Sequence, residues 1–157
     1  MHEQSNPIKR DPAFDLQHLC RYFSERSSQA MVAVEGETCI VRHANAAFLR
    51  LAGANRSDLI GRRFAEAVPE GEANGCVSLL NRVYRTGTSE CLAEQEHERG
   101  ETPPVYWSYA VWAILGSDDH PVGVMIQVTD STEIAIFRRR AQRGVRCQVS
   151  GATECRR

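Results

Sequence analysis

The residues that could do acid–base or metal chemistry are scattered along this chain of 157 residues. The spacing of the histidines is not typical of a metal site. They are His2, His18, His43, His97 and His120. No serine, histidine and aspartate form a legible catalytic pattern, and no glycine-rich phosphate loop is present. Glu94, Glu96 and Glu98 alternate, which favours one solvated face of a strand over paired catalytic carboxylates. We therefore expect no enzymatic activity and no metal site.

The cysteines form no C-x-x-C pair, and the polar start of the chain is not typical of a secretory leader. We expect free thiols in a reducing cytoplasm, the core ones acting as small apolar side chains. They are Cys20, Cys39, Cys76, Cys91, Cys147 and Cys155. No apolar run approaches the roughly 20 residues that span a bilayer. The expected location is cytoplasmic, without a membrane partner.

The size and charge of the chain agree with one globular domain. A chain of this length buries roughly 70% of its unfolded surface, which is enough for a single core. The formal net charge of −1 predicts no general attraction to nucleic acid. We divide the chain into a disordered segment with a flanking helix (residues 1–27), a domain (28–133), and an outgoing helix with an Arg-rich tail (134–157).

The stretch of residues 44–69 predicts two short helices separated by glycines. Asn45 can cap the first helix, because its side chain can accept a hydrogen bond from a free amide of the first turn. Gly53 can end that helix in a left-handed conformation. Asn55 and Gly61 bound a second helix in the same way. A proline closes the stretch and forbids a long continuation.

Branched and aromatic residues predict five strands around these helices. The strands are residues 30–35, 38–43, 90–98, 105–115 and 122–129, and residues 77–85 form a longer helix that Gly87 ends. The last strand is apolar on both faces, which predicts a central position. The order β-β-α-α-α-β-β-β favours an antiparallel sheet with helices on one face.

A helix is predicted on each side of this domain. Residues 1–12 look disordered, and residues 14–26 form a helix that could cover its own sheet or a partner's copy. Its apolar stripe is Leu16, Leu19, Cys20 and Phe23. The last helix begins at Asp130 or Ser131 and is broken by Gly144. Its seam is Ile134, Phe137 and Ala141.

Two parts of this pattern together resemble the PAS domain. The first part is Asn45, Ala47, Phe48, Leu51, Gly53, Leu59, Ile60, Gly61, Arg62, Phe64 and Pro69. The second part is residues 122–133, which are similar to the family's last strand and its D-I-T-E-like ending. Ser131 there replaces the usual isoleucine. The two parts lie about 60 residues apart, as they do in the family.

The resemblance implies an α+β fold, with a five-stranded antiparallel sheet, short helices on one face and helices at both ends. It also implies a mostly apolar cavity for a small apolar or weakly polar ligand. The residues assigned to this cavity are Phe48, Leu51, Phe64, Leu80, Val83, Tyr84, Val124 and Ile126. The alternative is that these side chains only fill the core.

The resemblance further assigns Asp130 and Thr132, with Asn45, to signal coupling. A hydrogen bond at the start of the outgoing helix would tie its direction to the last strand. The helix would then pair with its copy as a coiled coil. These assignments predict an input domain of a bacterial sensor histidine kinase, which forms a homodimer and acts on an effector or kinase.

The sequence identifies no cofactor; we expect none that is covalently bound, and neither blue-light flavin chemistry nor haem. A flavin photosensor of this family carries G-R-N-C-R-F-L-Q after the second short helix, whereas residues 61–67 here are GRRFAEA without cysteine. A haem sensor carries a histidine on the longer helix, which has none. Cys76 could ligate haem in principle, but a core role is favoured. A haem- or flavin-bearing redox or gas sensor is the alternative, and a colourless purified protein would eliminate it.

Two surfaces could bind other molecules. Four aromatic residues on one strand cannot all be buried, which predicts an exposed patch for a partner. They are Tyr106, Trp107, Tyr109 and Trp112. The arginines of residues 138–157 could contact phosphates. We favour a solvated, irregular tail, and keep a nucleic-acid-associated regulator as the alternative.

Overall fold

A computed structural model describes residues 16–68, 75–98, 100 and 102–151 of the chain. The predicted disorder of residues 1–12 and most of the predicted loop over residues 69–75 lie outside the described residues. The last six residues of the Arg-rich tail lie outside them as well.

One antiparallel sheet carries the fold. Its strands are β1 (Ala30–Glu35), β2 (Ile40–Ala44), β3 (Glu90–His97), β4 (Val105–Leu115) and β5 (Pro121–Asp130). They pair in the spatial order β2-β1-β5-β4-β3, antiparallel throughout. The predicted five-stranded antiparallel sheet and the central position of the last strand are both confirmed.

The described helices are α1 (Leu16–Ser24), α2 (Ala46–Ala52), α3 (Arg56–Leu59), α4 (Phe64–Ala67), α5 (Cys76–Thr86) and α6 (Thr132–Gly151). Helix α2 packs on β1, and α5 packs across β3, β4 and β5. Gly53 and Gly87 end their helices with positive φ, as predicted. The α+β fold with short helices on one face and a helix at each end is confirmed.

Several boundaries differ from the prediction for local reasons. Strand β2 begins two residues late, because a turn with positive φ at Gly36 and Cys39 occupies residues 36–39. The side chain of Asn55 makes no cap hydrogen bond, and α3 ends one residue before Ile60. The short helix α4 was not predicted, since four residues show no periodicity.

The predicted break at Gly144 is wrong, because α6 continues through it to Gly151. A glycine inside a helix costs roughly 1 kcal/mol relative to alanine, which good helix formers on both sides can offset. The first part of the Arg-rich segment is therefore helical rather than irregular.

The main core lies between the sheet and helices α2 to α5. Phe48 of α2 and Val124 of β5 belong to the same buried cluster, as the predicted fold requires. Trp107 and Tyr109 of β4 join them. A smaller cluster on the opposite face of the sheet joins Cys20 of α1 to β1.

The predicted exposed aromatic patch on β4 is wrong. Trp107 and Tyr109 point into the main core, Tyr106 is buried on the other face, and Trp112 is half-buried. The sheet can bury them because α5 covers one face and the flanking helices cover parts of the other. The exposed aromatic side chains lie on those helices instead, as described below.

Candidate functional site

The eight residues assigned to the ligand cavity come together in one cluster between the sheet and the helices. Six of them are fully buried, and Leu51 and Tyr84 are half-buried and pack against the others. Period-two alternation places Val124 and Ile126 on the same face of β5. The structure thus brings the predicted residues together, and whether they bind a ligand stays a prediction.

Polar side chains also enter this cluster. The hydroxyl of Tyr109 lies 2.6 Å from Nε2 of His97. The His97 ring lies against Trp107, with ring centroids 4.3 Å apart. Burial raises the pKa of the nearby Cys76 thiol to about 12, against the opposing effect of its hydrogen bond with Tyr109. Cys76 therefore remains a neutral thiol, which fits the core role favoured for it.

The prediction omitted this polar group. Alternation along β4 is a signal that could have placed Trp107 and Tyr109 with Val111 on the core face. Nothing in the sequence signals His97, because its burial depends on an irregularity in β3.

That irregularity is a bulge of one residue. Leu92 pairs with Tyr109 and Gln95 with Trp107, so three steps along β3 match two along β4. Glu94 lies in the bulge with a φ of 51°. Because a shift of one residue exchanges the two faces of a strand, His97 reaches the core and Glu96 the opposite face. Glu94 and Glu96 still share the outer face of the sheet, where they pair with Arg138 and Arg139 of α6.

Asn45 joins three segments of the chain and is fully buried. Its Oδ1 accepts hydrogen bonds from the amides of Met31 and Phe48, each at 2.9 Å. Its Nδ2 donates to the carbonyls of Ser24 (2.9 Å) and Gln29 (2.7 Å). The predicted cap of α2 is confirmed, and the same side chain also holds the end of α1 and the start of β1.

A second buried contact fastens α1 to the sheet. The hydroxyl of Ser24 donates to the Cys20 carbonyl at 2.6 Å and lies 2.8 Å from Nε2 of His43. Since its only hydrogen is used, Ser24 must accept from the Nε2–H of His43. Burial lowers the pKa of His43, although Glu25 opposes this. His43 is a structural hydrogen-bond donor here, not a base acting on Ser24.

The start of α6 is tied to β4. Oδ1 of Asp130 accepts hydrogen bonds from the amide (3.0 Å) and the hydroxyl (2.6 Å) of Thr132. The hydroxyl of Thr132 also accepts from the amide of Tyr106 at 3.0 Å. Ser131, in place of the family's isoleucine, is buried and bonds Ser108 Oγ at 3.0 Å. Asp130 and Ser131 were both predicted as possible caps of α6. The side chain of Asp130 is the one that accepts a hydrogen bond from a free amide at the start of the helix.

Both flanking helices expose large apolar side chains. Tyr22 and Phe23 of α1 are exposed, with their rings in edge-to-face contact. Of the stripe predicted for α1, Cys20 is buried whereas Phe23 is exposed beside it. In the predicted seam, Ile134 and Ala141 are exposed and Phe137 is 73% exposed.

An apolar groove of about 230 Å³ lies beside α1 on the outer face of the sheet. It is lined by Cys20, Phe23, Trp112, Ala113, Ile114 and Met125. Among the described residues, no three His, Cys, Asp or Glu side chains are close enough to share a metal ion. No helix in the described ranges is both long enough and apolar enough to cross a bilayer.

Comparisons with known proteins agree with this architecture. The structure of an RNA-binding Light-Oxygen-Voltage receptor superposes with a TM-score of 0.69 at 13% identity, over 97% of this chain and 43% of that one. The PAS domain from Bordetella pertussis BvgS gives 0.63 at 14% identity, over 83% and 96% of the two chains. A sensory box sensor histidine kinase from Vibrio cholerae gives 0.52 at 17% identity, over 72% and 89%.

These structural similarities show that the chain has the same fold as these proteins. The chain spans less than half the length of the RNA-binding receptor. No curated protein sequence matches the chain. The family model described as PAS fold matches residues 26–135. With the sheet order and the capped helices described above, this match shows that the chain belongs to the PAS fold family.

Proposed function

We propose that this PAS domain is a sensory module that binds a small ligand or mediates dimerisation, and relays a signal through α6. The observation that carries the proposal is the continuity of β5 with α6. The middle of β5 supplies Val124 and Ile126 to the buried cluster, and its last residue, Asp130, lies at the start of the helix. A change in the cluster that moves β5 would therefore move the helix.

The proposed ligand site is the cluster of the eight predicted residues, together with the polar group around Tyr109. Apolar side chains with a few hydrogen-bonding groups are typical of small-molecule sites. A small apolar or weakly polar molecule suits this lining better than an ion, because a buried charge without a partner is costly.

The proposed assembly is a homodimer. Exposed Phe137 and Ile134 stand at helical spacing on α6, and such a seam is stabilised when it packs against a copy of itself. The apolar groove beside α1 would extend the same interface.

We further propose that the chain regulates rather than catalyses, as an input domain of a two-component histidine kinase in the bacterial cytoplasm. The neighbour from Vibrio cholerae is described as a sensor histidine kinase. The described cysteines Cys20, Cys39, Cys76 and Cys91 are free thiols, which suits a reducing compartment.

Native mass spectrometry of the purified chain tests this proposal, because it reports bound mass and oligomeric state together. We expect a dimer, and Phe137→Glu should convert it to a monomer. Arg140→Glu is the matched control on the same helix and should leave the dimer intact. A wild-type chain that is monomeric at high concentration and carries no added mass would contradict the proposal.

A second candidate is a nucleic-acid-associated regulator. The observation that favours it is the extension of α6 through residues 138–143, which places Arg140 and Arg143 exposed on a continuous helix. Phosphate contacts make binding weaken steeply with salt. Salt-dependent binding to DNA or RNA that Arg140→Gln with Arg143→Gln abolishes would support this candidate, and absent binding would remove it.

A further inference from the structure

Two of the contacts that attach the outgoing helix to the domain involve Tyr106. The first is the start of α6, where Thr132 accepts from the Tyr106 amide at 3.0 Å. The second lies two turns further along, where Nη1 of Arg139 donates to the Tyr106 hydroxyl at 2.6 Å. The guanidinium carbon of Arg139 also lies 4.1 Å from the centre of the Tyr106 ring.

Glu96 completes the second attachment from β3. Its Oε2 accepts from the Tyr106 hydroxyl at 3.1 Å and from Arg139 at 3.2 Å. Arg138 forms an adjacent ion pair with Glu94. Glu96 is available on this face of the sheet only because the β3 bulge turns it away from the core.

An attachment at one end of a helix sets where the helix begins, but leaves its axis free to pivot. A second attachment seven residues along, about 10 Å at 1.5 Å per residue, sets its direction as well. A single exposed ion pair would contribute little. Here the arginine also stacks on a buried ring, and three side chains share one network.

We propose that Arg139, Tyr106 and Glu96 are positioning residues that set the direction of α6. The proposal rests on the relay function above, and adds a release step to it. When this network opens, the capped start of the helix stays in place while the helix swings away from β3.

Amide hydrogen exchange and residual dipolar couplings of the full chain test this directly. In Arg139→Gln and in Glu96→Gln, exchange over residues 136–143 should rise roughly two- to fivefold, the factor expected for losing about 0.5–1 kcal/mol. The residual dipolar couplings of the α6 amides should become smaller, because the helix then samples several directions. Arg140→Gln, on the same helix, should change neither. Rising salt should loosen α6 in the unaltered chain, and should loosen it less in Glu96→Gln, where only the Arg138–Glu94 pair remains to be screened.

Exchanging the charges of residues 96 and 139 tests whether the lost attachment of α6 can be restored. Glu96→Arg alone should free the helix, and combining it with Arg139→Glu should restore part of the slow exchange and of the original couplings, because the ion pair returns without the stacking on Tyr106. Unchanged exchange and couplings in both Arg139→Gln and Glu96→Gln would overturn the proposal. Because these measurements need no signalling output, the positioning role can fail while the relay stands. Conversely, a freed helix that leaves a fused kinase unaffected would contradict the relay alone.

Discussion

Asn45 uses all the hydrogen-bonding capacity of its amide inside the protein. Two acceptor positions and two donor hydrogens are satisfied by four backbone groups from three segments of the chain. A carboxylate or hydroxyl of similar size offers fewer donors, so asparagine suits this position better than the other helix-capping residues. The residue therefore links the flanking helix α1 to the sheet as well as starting α2.

Asn45→Ala should lower the free energy of unfolding by roughly 3–5 kcal/mol, because it leaves four buried backbone groups without partners. Asn55→Ala is the control, since Asn55 also precedes a short helix but is exposed and makes no cap bond. Its effect should stay within about 0.5 kcal/mol. Urea unfolding of both variants measures this, and equal losses would contradict the linking role of Asn45.

His43 should make the stability depend on pH. Its pKa is lowered in the folded protein, so the unfolded chain binds more protons as the pH falls through the ordinary histidine range near 6.5. The stabilisation is complete above that range and is lost as the pH falls toward the lowered value. The groups facing His43 are Arg21 and Ser24 of α1, Glu25 directly after that helix, and Arg56 of α3.

The measurement is the urea midpoint at pH 7.5 and 5.5. We expect the midpoint to be lower at pH 5.5. The difference between the two pH values should be smaller in His43→Gln, because glutamine keeps a donor for Ser24 but does not titrate. The control is His120→Gln, at an exposed position. Its urea midpoint should fall between pH 7.5 and 5.5 by as much as that of the unaltered chain. Identical decreases in all three proteins would show that His43 does not carry the effect.

At the scale of elements, the hairpin between β4 and β5 has a residue other than glycine at a position where the backbone conformation favours glycine. Asp119 has a φ of 60° in this turn, a conformation that glycine adopts without steric cost. Its neighbour Asp118 instead bonds the amide of His120 at 3.3 Å. Two adjacent aspartates thus have different structural roles.

Asp119→Gly should raise the free energy of unfolding by about 0.5 kcal/mol. The substitution removes the backbone strain of a positive φ, and this gain exceeds the entropic cost of a more flexible unfolded chain. Asp118→Gly should lower it, since that change removes a turn hydrogen bond and gains no relief. Thermal unfolding of the two variants distinguishes them. A lower melting point for Asp119→Gly would contradict this account of the turn.

At the scale of the whole molecule, the apolar sides of α1 and α6 link stability to assembly. If two copies cover Tyr22, Phe23, Ile134 and Phe137, association stabilises the folded state by mass action. The melting temperature should then rise with protein concentration. Phe137→Glu should remove most of that rise, while Arg140→Glu should retain it. A melting temperature independent of concentration would contradict assembly through these helices.

The sequence alone determined the parts of this protein that follow from local rules. Asn45 and the glycines that end α2 and α5 have a recognisable capping chemistry, and the continuous apolar pattern of β5 predicted its central place. The eight cluster residues were identifiable through the resemblance to the PAS domain, which implies an apolar cavity lined by these positions.

Only the tertiary structure decided the features that depend on one irregular residue or on distant partners. The bulge at Glu94 moves His97 into the core and Glu96 to the face of α6, and no sequence period marks a left-handed glutamate. Tyr106 and Arg139 are 33 residues apart, so their contact depends on how β4 and α6 pack. The burial of the β4 aromatics likewise depends on which helices cover each face of the sheet, because burial is a property of neighbours rather than of a residue's own type.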